Sequence, residues 1–234
     1  MKKHWKVLSA ITLATLITAA CGSNDVDQKV GGDNQTGYET PDENDSKEVI
    51  NEEDVSADLQ FSDGYYTFTL KNTSDKNIDF TFSSTQEYEY QIKDQSDNVV
   101  YTFSMDKMFG QQVVEKTLAS GESEVINVDV NVFSSLQPGT YTLEIWSMAL
   151  EAENLSSKIE FTLDEVANNL EGTYVGQIDN NSVEIIDEDG NPKAFRLTGF
   201  TNEFITSLEA EEKVNYSYYK QNEQLFLTAI HSAQ

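Results

Sequence analysis

The chain has 234 residues, of which 41 are acidic and 15 are basic, so its formal net charge is −26. A negative field of this size repels nucleic acid and anionic lipid headgroups, because both are bound through basic patches. The composition therefore excludes nucleic acid as a partner. It indicates an acidic surface that is either simply solvated or able to attract a basic protein.

The first twenty residues are organised like a secretory signal peptide. Lys2, Lys3 and Lys6 form a basic start, and residues 7–20 are apolar or small and carry no charge. This apolar run is shorter than the about 20 residues that a membrane-spanning helix needs. The sequence therefore predicts a cleaved signal peptide over residues 1–20.

A single cysteine follows this segment. Thr18, Ala19 and Ala20 precede Cys21, and small residues at these positions are what the lipoprotein signal peptidase accepts. Cys21 is the only cysteine, so no disulfide can form within the chain. Diacylglycerol on Cys21 together with an amide-linked chain would give a stable two-chain anchor. We expect a lipid-anchored protein on the extracytoplasmic face of the cell membrane; the alternative is an ordinary signal peptide beside a chance cysteine.

Residues 21–56 have the composition of a disordered linker. The segment is rich in acids, and its apolar side chains are Tyr38, Ile50 and a few valines. It cannot bury enough apolar surface to offset the entropy lost on ordering. The sequence predicts an acidic tether over 21–56 that is dispensable for folding, with a mean span of about 30–35 Å for a flexible chain of this length.

Residues 57–163 show apolar side chains that alternate with polar ones, in short runs separated by turn residues. The runs are Tyr66–Phe68–Leu70, Ile78–Phe80–Phe82, Tyr88–Tyr90–Ile92, Val99–Tyr101–Phe103, Ile126–Val128–Val130–Val132, Tyr141–Leu143–Ile145 and Ile159–Phe161–Leu163. A period of two places each set on one face of a strand. Seven or eight such strands in about 105 residues predict an Ig-like antiparallel β-sandwich.

Several positions in this segment follow an ordered pattern of asparagine, F-x-S, glutamine, tyrosine and a final P-G-x-Y strand. They are Asn72, Phe82, Ser84, Gln86, Tyr88, Val100, Ser104, Phe109, Pro138, Gly139 and Tyr141. In this pattern, residues 68–145 resemble the BsuPI domain family, named for an intracellular proteinase inhibitor of bacilli. Tyr101 stands where the family commonly has tryptophan, and Asp97-Asn98 replaces a usual glycine. The resemblance implies an Ig-like sandwich and raises protease inhibition as an activity. It does not identify the protease, and a serine protease is the candidate partner.

One loop of this domain interrupts the alternation. Between two strands it carries Met105, Lys107, Met108 and Phe109. If it is exposed, this apolar loop could insert into a protease cleft or another partner groove. If it is buried, Met108 and Phe109 plug the open end of the sandwich. We take Met105, Lys107, Met108 and Phe109 as the candidate binding residues.

Residues 171–234 form a second β pattern after a break at 164–170. Strands are predicted at 172–177, around Val183 and Ile185, at 194–197, around Tyr216 and Tyr218, and around Leu225, Leu227 and Ile230. Thr201 is placed to cap a short helix with Phe204, Ile205 and Leu208 on one side. Three strands, a helix and two strands predict a small OB-like β-barrel, and the segment resembles modules of lipoproteins from Gram-positive bacteria.

OB-folds often bind oligonucleotides, and Tyr216, Tyr218 and Tyr219 could stack on bases. The segment holds four basic and eleven acidic residues, however, and an anionic groove would oppose a nucleic-acid backbone. We expect these tyrosines to belong to the core and surface of one strand.

Catalytic motifs are missing from the sequence. It has no G-x-S-x-G, no H-E-x-x-H and no glycine-rich phosphate loop, and His231 is the one histidine after the predicted cleavage site. The acidic run from Asp187 to Asn191 lacks the glutamate that closes a calcium loop, which favours a hairpin turn. The sequence predicts no catalytic residue, no metal, no cofactor and no small-molecule substrate.

Two functions remain open. The first is a lipid-anchored, extracytoplasmic protein-binding module that acts as a proteinase inhibitor. The second is a cell-envelope accessory lipoprotein without inhibitory activity, whose β-domains engage another protein or the wall.

Overall fold

The computed structural model describes residues 49–152, 154–199 and 201–233. The predicted signal peptide, Cys21 and the predicted tether up to residue 48 lie outside these ranges. Within the ranges, no helix has the length and hydrophobicity needed to cross a bilayer.

Antiparallel strands form the first part of the described chain. They are β1 (Val55–Ser62), β2 (Tyr65–Asn72), β3 (Ile78–Phe82), β4 (Tyr88–Asp94), β5 (Val99–Thr102), β6 (Val114–Leu118), β7 (Ser123–Val128), β8 (Gly139–Ser147) and β9 (Ser156–Leu163). They pair as a three-stranded sheet β1-β2-β7, a four-stranded sheet β5-β4-β8-β9 and a ribbon β3-β6. Their apolar faces meet in one core, as the alternating pattern predicts. The predicted antiparallel β-sandwich is confirmed.

The structure differs from the sequence prediction in three strands of the sandwich. β1 and β6 are not among the runs that the sequence predicts. The long strand predicted from Ile126 to Val132 ends at Val128, and residues Asn131–Ser135 form a 3₁₀ turn instead. Asp129 Oδ1 accepts a hydrogen bond from Asn131 N at 2.8 Å, which offers the backbone a turn in place of the ladder. The turn buries Phe133 completely.

The folded part begins before the tether boundary that the sequence predicts at residue 56. Val55 is the first residue of β1, and both Val55 and Ile50 are buried. Ile50 N donates to Glu151 O at 2.7 Å, and the Thr73 hydroxyl donates to Glu53 O at 2.9 Å. Residues 50–56 therefore pack on the sandwich. The Ile50 side chain lies in its apolar core, which the acidic composition of the segment does not predict.

Removing residues 49–54 should lower the stability of the protein. A chain that starts at Val55 loses the burial of Ile50, which is worth about 1.5–3 kcal/mol for a fully buried side chain of this size. We expect its thermal midpoint to fall by about 3–10 °C relative to a chain that starts at Val49. Circular dichroism melts of the two chains measure this difference. Equal midpoints would show that the predicted boundary at residue 56 is correct.

The second part of the chain is a closed barrel. It contains β10 (Glu165–Asp179), β11 (Ser182–Asp187), β12 (Pro192–Leu197), β13 (Lys213–Gln221) and β14 (Gln224–Ser232). The strands close in the order β10-β11-β12-β14-β13, with β12 and β14 parallel. A short helix α1 (Thr201–Phe204) and a 3₁₀ turn (Ile205–Ser207) lie between β12 and β13. The predicted small barrel with one short helix is confirmed.

The details of the helix differ from the prediction. Ile205 is buried in the barrel core, whereas Phe204 points outward with 56% of its surface exposed. Successive residues of a helix point about 100° apart, so the neighbours Phe204 and Ile205 do not share a face in a helix this short. The Thr201 hydroxyl accepts a hydrogen bond from Thr198 N at 2.9 Å, in the loop before the helix.

The barrel follows the sandwich without the break predicted over 164–170. β9 ends at Leu163 and β10 begins at Glu165. Alternation along β13 explains how the two parts join: Tyr216 and Tyr218 point into the barrel core, whereas Tyr219 points to the sandwich and belongs to its core. All three tyrosines are buried, so none of them offers a ring for base stacking.

Phe133 lies at the centre of the junction between sandwich and barrel. Its ring stacks on Phe161 of β9 at a centroid distance of 4.5 Å and meets Tyr219 of the barrel edge-on at 5.3 Å. Gln221 Nε2 donates to the Tyr66 hydroxyl at 2.8 Å across the same junction. Burial raises the pKa of both the Tyr66 and the Tyr219 hydroxyl, so both stay neutral. The two β-units therefore share one apolar core.

The turn between β1 and β2 inserts against the barrel. Asp63 and Gly64 both have positive φ, as a two-residue hairpin turn requires. A Cβ atom on Gly64 would lie 3.1 Å from the Phe226 ring, so glycine is needed for this close approach as well as for the turn. The junction thus joins the barrel to the hairpin as well as to the 3₁₀ turn around Phe133.

Candidate functional site

The loop that follows β5 is held at both of its ends. At the start, Ser104 N donates to Glu89 Oε1 at 3.1 Å. At the other end, Gly110 N donates to the Thr85 hydroxyl at 2.8 Å, and Thr85 N donates to Gly110 O at 3.0 Å. The backbone between these points is therefore fixed at its base while its tip is free of the sheet. We call residues 104–110 the tip loop.

A buried carboxylate organises the base of the tip loop. Glu89 is 7% exposed, and besides Ser104 N it accepts hydrogen bonds from Tyr90 N at 3.0 Å and from Gln86 Nε2 at 3.1 Å. Burying a carboxylate without hydrogen-bond partners costs free energy, and these three donors offset that cost. Glu89 thus ties the tip loop to β4 and to the turn before it.

Aromatic rings support the tip loop from below. Phe103 stacks between Tyr88 at 5.0 Å and Tyr90 at 5.1 Å, so the start of the tip loop rests on β4. The ring of Phe109 contacts Phe103 at 6.0 Å, and the Lys107 ammonium lies 5.6 Å from the centroid of the Phe103 ring. Such offset ring pairs and cation–π contacts favour one arrangement of the tip loop over a mobile ensemble.

The four predicted binding residues divide into two groups in the structure. Met105 and Met108 project into solvent, with 82% and 99% of their surfaces exposed. Phe109 is half-buried against Phe103, and Lys107 lies over the same ring. Met108 therefore does not plug the sandwich, whereas Phe109 packs as the buried alternative suggested. Of the four predicted residues, Met105 and Met108 are therefore the apolar side chains available to a partner.

Strand register places the tip loop at the end of the sandwich that faces away from the barrel. In the four-stranded sheet, Tyr88 pairs with Ser147 at one end, and Gly139 pairs with Leu163 at the other. Leu163 leads directly into the barrel, whereas Tyr88 lies beneath the tip loop. We call the end that carries the tip loop the distal end.

Neighbouring segments complete the distal end. Met148 N donates to Glu87 O at 2.9 Å, Leu150 N donates to Thr81 O at 2.8 Å, and Val114 pairs with Phe82. Val49 lies beside them, because Ile50 N donates to Glu151 O. Exposed apolar side chains project from these segments and from the tip loop, and we call them together the distal surface: Val49, Met105, Met108, Val113, Met148 and Leu150. Single exposed apolar residues are common on proteins, but a group of them at one end makes the distal surface the candidate binding site.

Sequence reasoning missed four members of the distal surface, Val49, Val113, Met148 and Leu150. Two of them, Val113 and Met148, sit next to strand ends, where apolar residues look like continuations of the buried pattern. Only the run Met148-Ala149-Leu150 could have been noticed in the sequence, because three apolar residues in a row break the alternation of β8. Hydrogen bonds between segments distant in the chain bring the group together.

Several positions of the family-like pattern lie under the tip loop. Gln86 binds Glu89, Tyr88 stacks on Phe103, and Gln86 N donates to the Ser84 hydroxyl at 3.1 Å. Ser104 and Phe109 belong to the tip loop itself. The pattern therefore includes the residues that shape the distal end as well as the residues of turns elsewhere in the sandwich.

Comparison with known families finds one match in each of the two β-units. Residues 65–152 match the family model of BsuPI, described as intracellular proteinase inhibitor. Residues 167–231 match the family model described as LytA beta-barrel domain. No curated protein matches the chain. The BsuPI match lies within the described sandwich and includes its distal end, and it confirms the resemblance of residues 68–145 to this family. The LytA match lies within the barrel.

Proposed function

We propose that the protein is a lipid-anchored, extracytoplasmic binding module that inhibits a protease through its distal surface. The BsuPI match supports an inhibitor-like rather than an enzymatic role, because the family is described by inhibition of proteinases. The observation that carries the proposal is the tip loop, whose base is fixed by Glu89 and Thr85 while Met105 and Met108 stand in solvent.

A fixed loop is well suited to docking. A binding loop that is already ordered loses little conformational entropy when it enters a cleft, so more of the contact energy appears as affinity. Methionine side chains are flexible and polarisable, and they fill apolar pockets of varied shape. The backbone of Lys107, next to Met108, is extended, with φ −110° and ψ 154°. A 3₁₀ turn covers Phe103–Asp106, so the extended backbone begins only at Lys107.

The proposed membrane location derives from the sequence. The basic start, the short apolar segment and the lone Cys21 support signal cleavage and lipidation. A lipid anchor would hold an inhibitor at the cell surface, where it could shield envelope proteins from secreted proteases. This role differs from that of an inhibitor working in the cytoplasm, so the protease bound need not be an intracellular one.

The test of inhibition uses the chain from residue 22, with the barrel included because the sandwich shares its core with it. We expect this chain to slow a subtilisin-type serine protease reversibly and to remain uncut on long incubation. Replacing Met108 with serine should weaken inhibition about 10- to 30-fold, on the scale of about 1.4–2 kcal/mol for a side chain at the centre of an interface. Inhibition constants and melting curves of both proteins measure this.

The matched control is Phe204→Ser, which removes an exposed apolar side chain from the barrel. It should leave inhibition unchanged, and neither variant should change the melting temperature by more than the effect of a surface substitution. If the folded protein slows no serine protease, the inhibitor proposal fails. The accessory lipoprotein without inhibitory activity then replaces it.

A further inference from the structure

Methionine has an unusual distribution in this chain. The four methionines are Met1, Met105, Met108 and Met148, and the last three all belong to the distal surface. The buried residues of both described cores are aromatic and aliphatic side chains without a methionine among them. Methionine is among the residue types most often buried in protein interiors. The described methionines are therefore concentrated on the surface that is proposed to bind.

The fold holds these thioethers toward solvent. Met105 and Met108 flank Lys107, whose ammonium lies over the Phe103 ring and keeps the middle of the tip loop against the domain. Met148 follows β8 and is 36% exposed, with its backbone N–H bonded to Glu87 O. A small oxidant can reach Met105 and Met108 freely, and it can reach Met148 in part.

We propose that Met105, Met108 and Met148 form an oxidation site that switches the distal surface from apolar to polar. With a peroxide as oxidant, the sulfur lone pair attacks one peroxide oxygen, an S–O bond forms and the O–O bond breaks. The second oxygen leaves as water after proton transfer, so sulfur loses two electrons and the peroxide gains them. The resulting sulfoxide is polar and is reversible by methionine sulfoxide reductases. Its effect on inhibition rests on the proposed function.

The fold should tolerate this change. Sulfoxides on Met105 and Met108 stay in solvent, and the tip loop is held by Glu89, Thr85 and Phe103, which do not use the thioether groups. Oxidation of a core methionine would instead place a polar oxygen in an apolar interior. The switch therefore acts on binding while the domain remains folded.

The test treats the chain from residue 22 with hydrogen peroxide. Peptide mass mapping should show addition of one oxygen per methionine, with Met108 and Met105 modified before Met148. Once Met105 and Met108 are modified, retention on a hydrophobic-interaction column should fall while the melting temperature stays the same. If the protein inhibits a protease as proposed, inhibition should fall at least tenfold on full oxidation.

The matched control is the triple variant M105L/M108L/M148L. Leucine keeps the apolar volume of each side chain and cannot form a sulfoxide. Column retention and inhibition of this variant should not change with peroxide. The single variant Met108→Gln, which places a polar side chain of similar length at the same position, should reproduce part of the loss without an oxidant.

The outcomes separate this inference from the proposed function. Unchanged column retention after complete oxidation of all three methionines would overturn the switch, as would a fall in melting temperature on oxidation of Met108. If untreated protein slows no protease but retention falls as expected, the inhibitor proposal fails and the oxidation site stands. If inhibition is present and survives full oxidation, the site does not regulate binding.

Discussion

Replacing Phe133 with alanine should destabilise the protein by about 3–5 kcal/mol, because a fully buried phenylalanine leaves both its transfer energy and a cavity behind. Phe133 stacks on Phe161 of the sandwich and packs against Tyr219 of the barrel, so the cavity would open between the two β-units. We expect the thermal midpoint to fall by about 6–20 °C for a chain of this size. The loss should appear in both units at once.

Two probes can follow the units separately. Trp146 lies on β8, and it is the only tryptophan after the predicted cleavage site, so its fluorescence reports on the sandwich. Hydrogen exchange of peptides from β13 and β14 reports on the barrel. Coincident transitions in denaturant would show a single cooperative unit.

The matched control for Phe133 is Phe204→Ala, because Phe204 is largely exposed. Its effect should stay within about 0.5 kcal/mol. The shared core would be contradicted if the wild-type protein unfolded in two separate transitions and Phe133→Ala shifted only the transition that Trp146 fluorescence reports. In that case the isolated sandwich would be a suitable inhibitor for assays without the barrel.

Replacing Cys21 with serine should abolish lipidation. The thiol is the group that receives diacylglycerol, and a serine hydroxyl does not substitute for it in this reaction. We expect no incorporation of labelled palmitate and accumulation of the precursor with residues 1–20 attached, because the lipoprotein signal peptidase acts after lipid is added. Metabolic labelling and the apparent mass of the cell-associated protein measure both effects.

The control for Cys21 is Ser23→Ala, two residues further along the chain, which should label and be cleaved like the wild type. Palmitate on the Cys21→Ser variant would place the anchor elsewhere and contradict the proposed location. Cleavage of that variant at the same site and secretion without lipid would support the ordinary signal peptide that the sequence leaves open. The test therefore distinguishes the two interpretations of residues 1–21.

The barrel shows how the pattern in a sequence can predict an architecture. Its strands alternate apolar and polar residues because one face is buried and the other is solvated, so order and element type follow from residue type. Asp187 and Asn191 bracket the predicted hairpin, and Asp187 Oδ1 accepts a hydrogen bond from Asn191 N at 2.8 Å. The backbone N–H of Asp187 also donates to Asn191 O at 3.0 Å, which closes the turn.

The sequence by itself determined the two β-architectures, their order and the position of the tip loop, because these depend on local alternation and turn residues. The tertiary structure alone decided where partners from distant parts of the chain meet. Ile50 packs into the sandwich core where its N–H bonds Glu151 O, and Phe133 packs against Tyr219 of the barrel. The distal surface likewise exists only because cross-strand hydrogen bonds place Met148 and Leu150 at the same end as Met108, and no local pattern encodes a contact between residues this far apart.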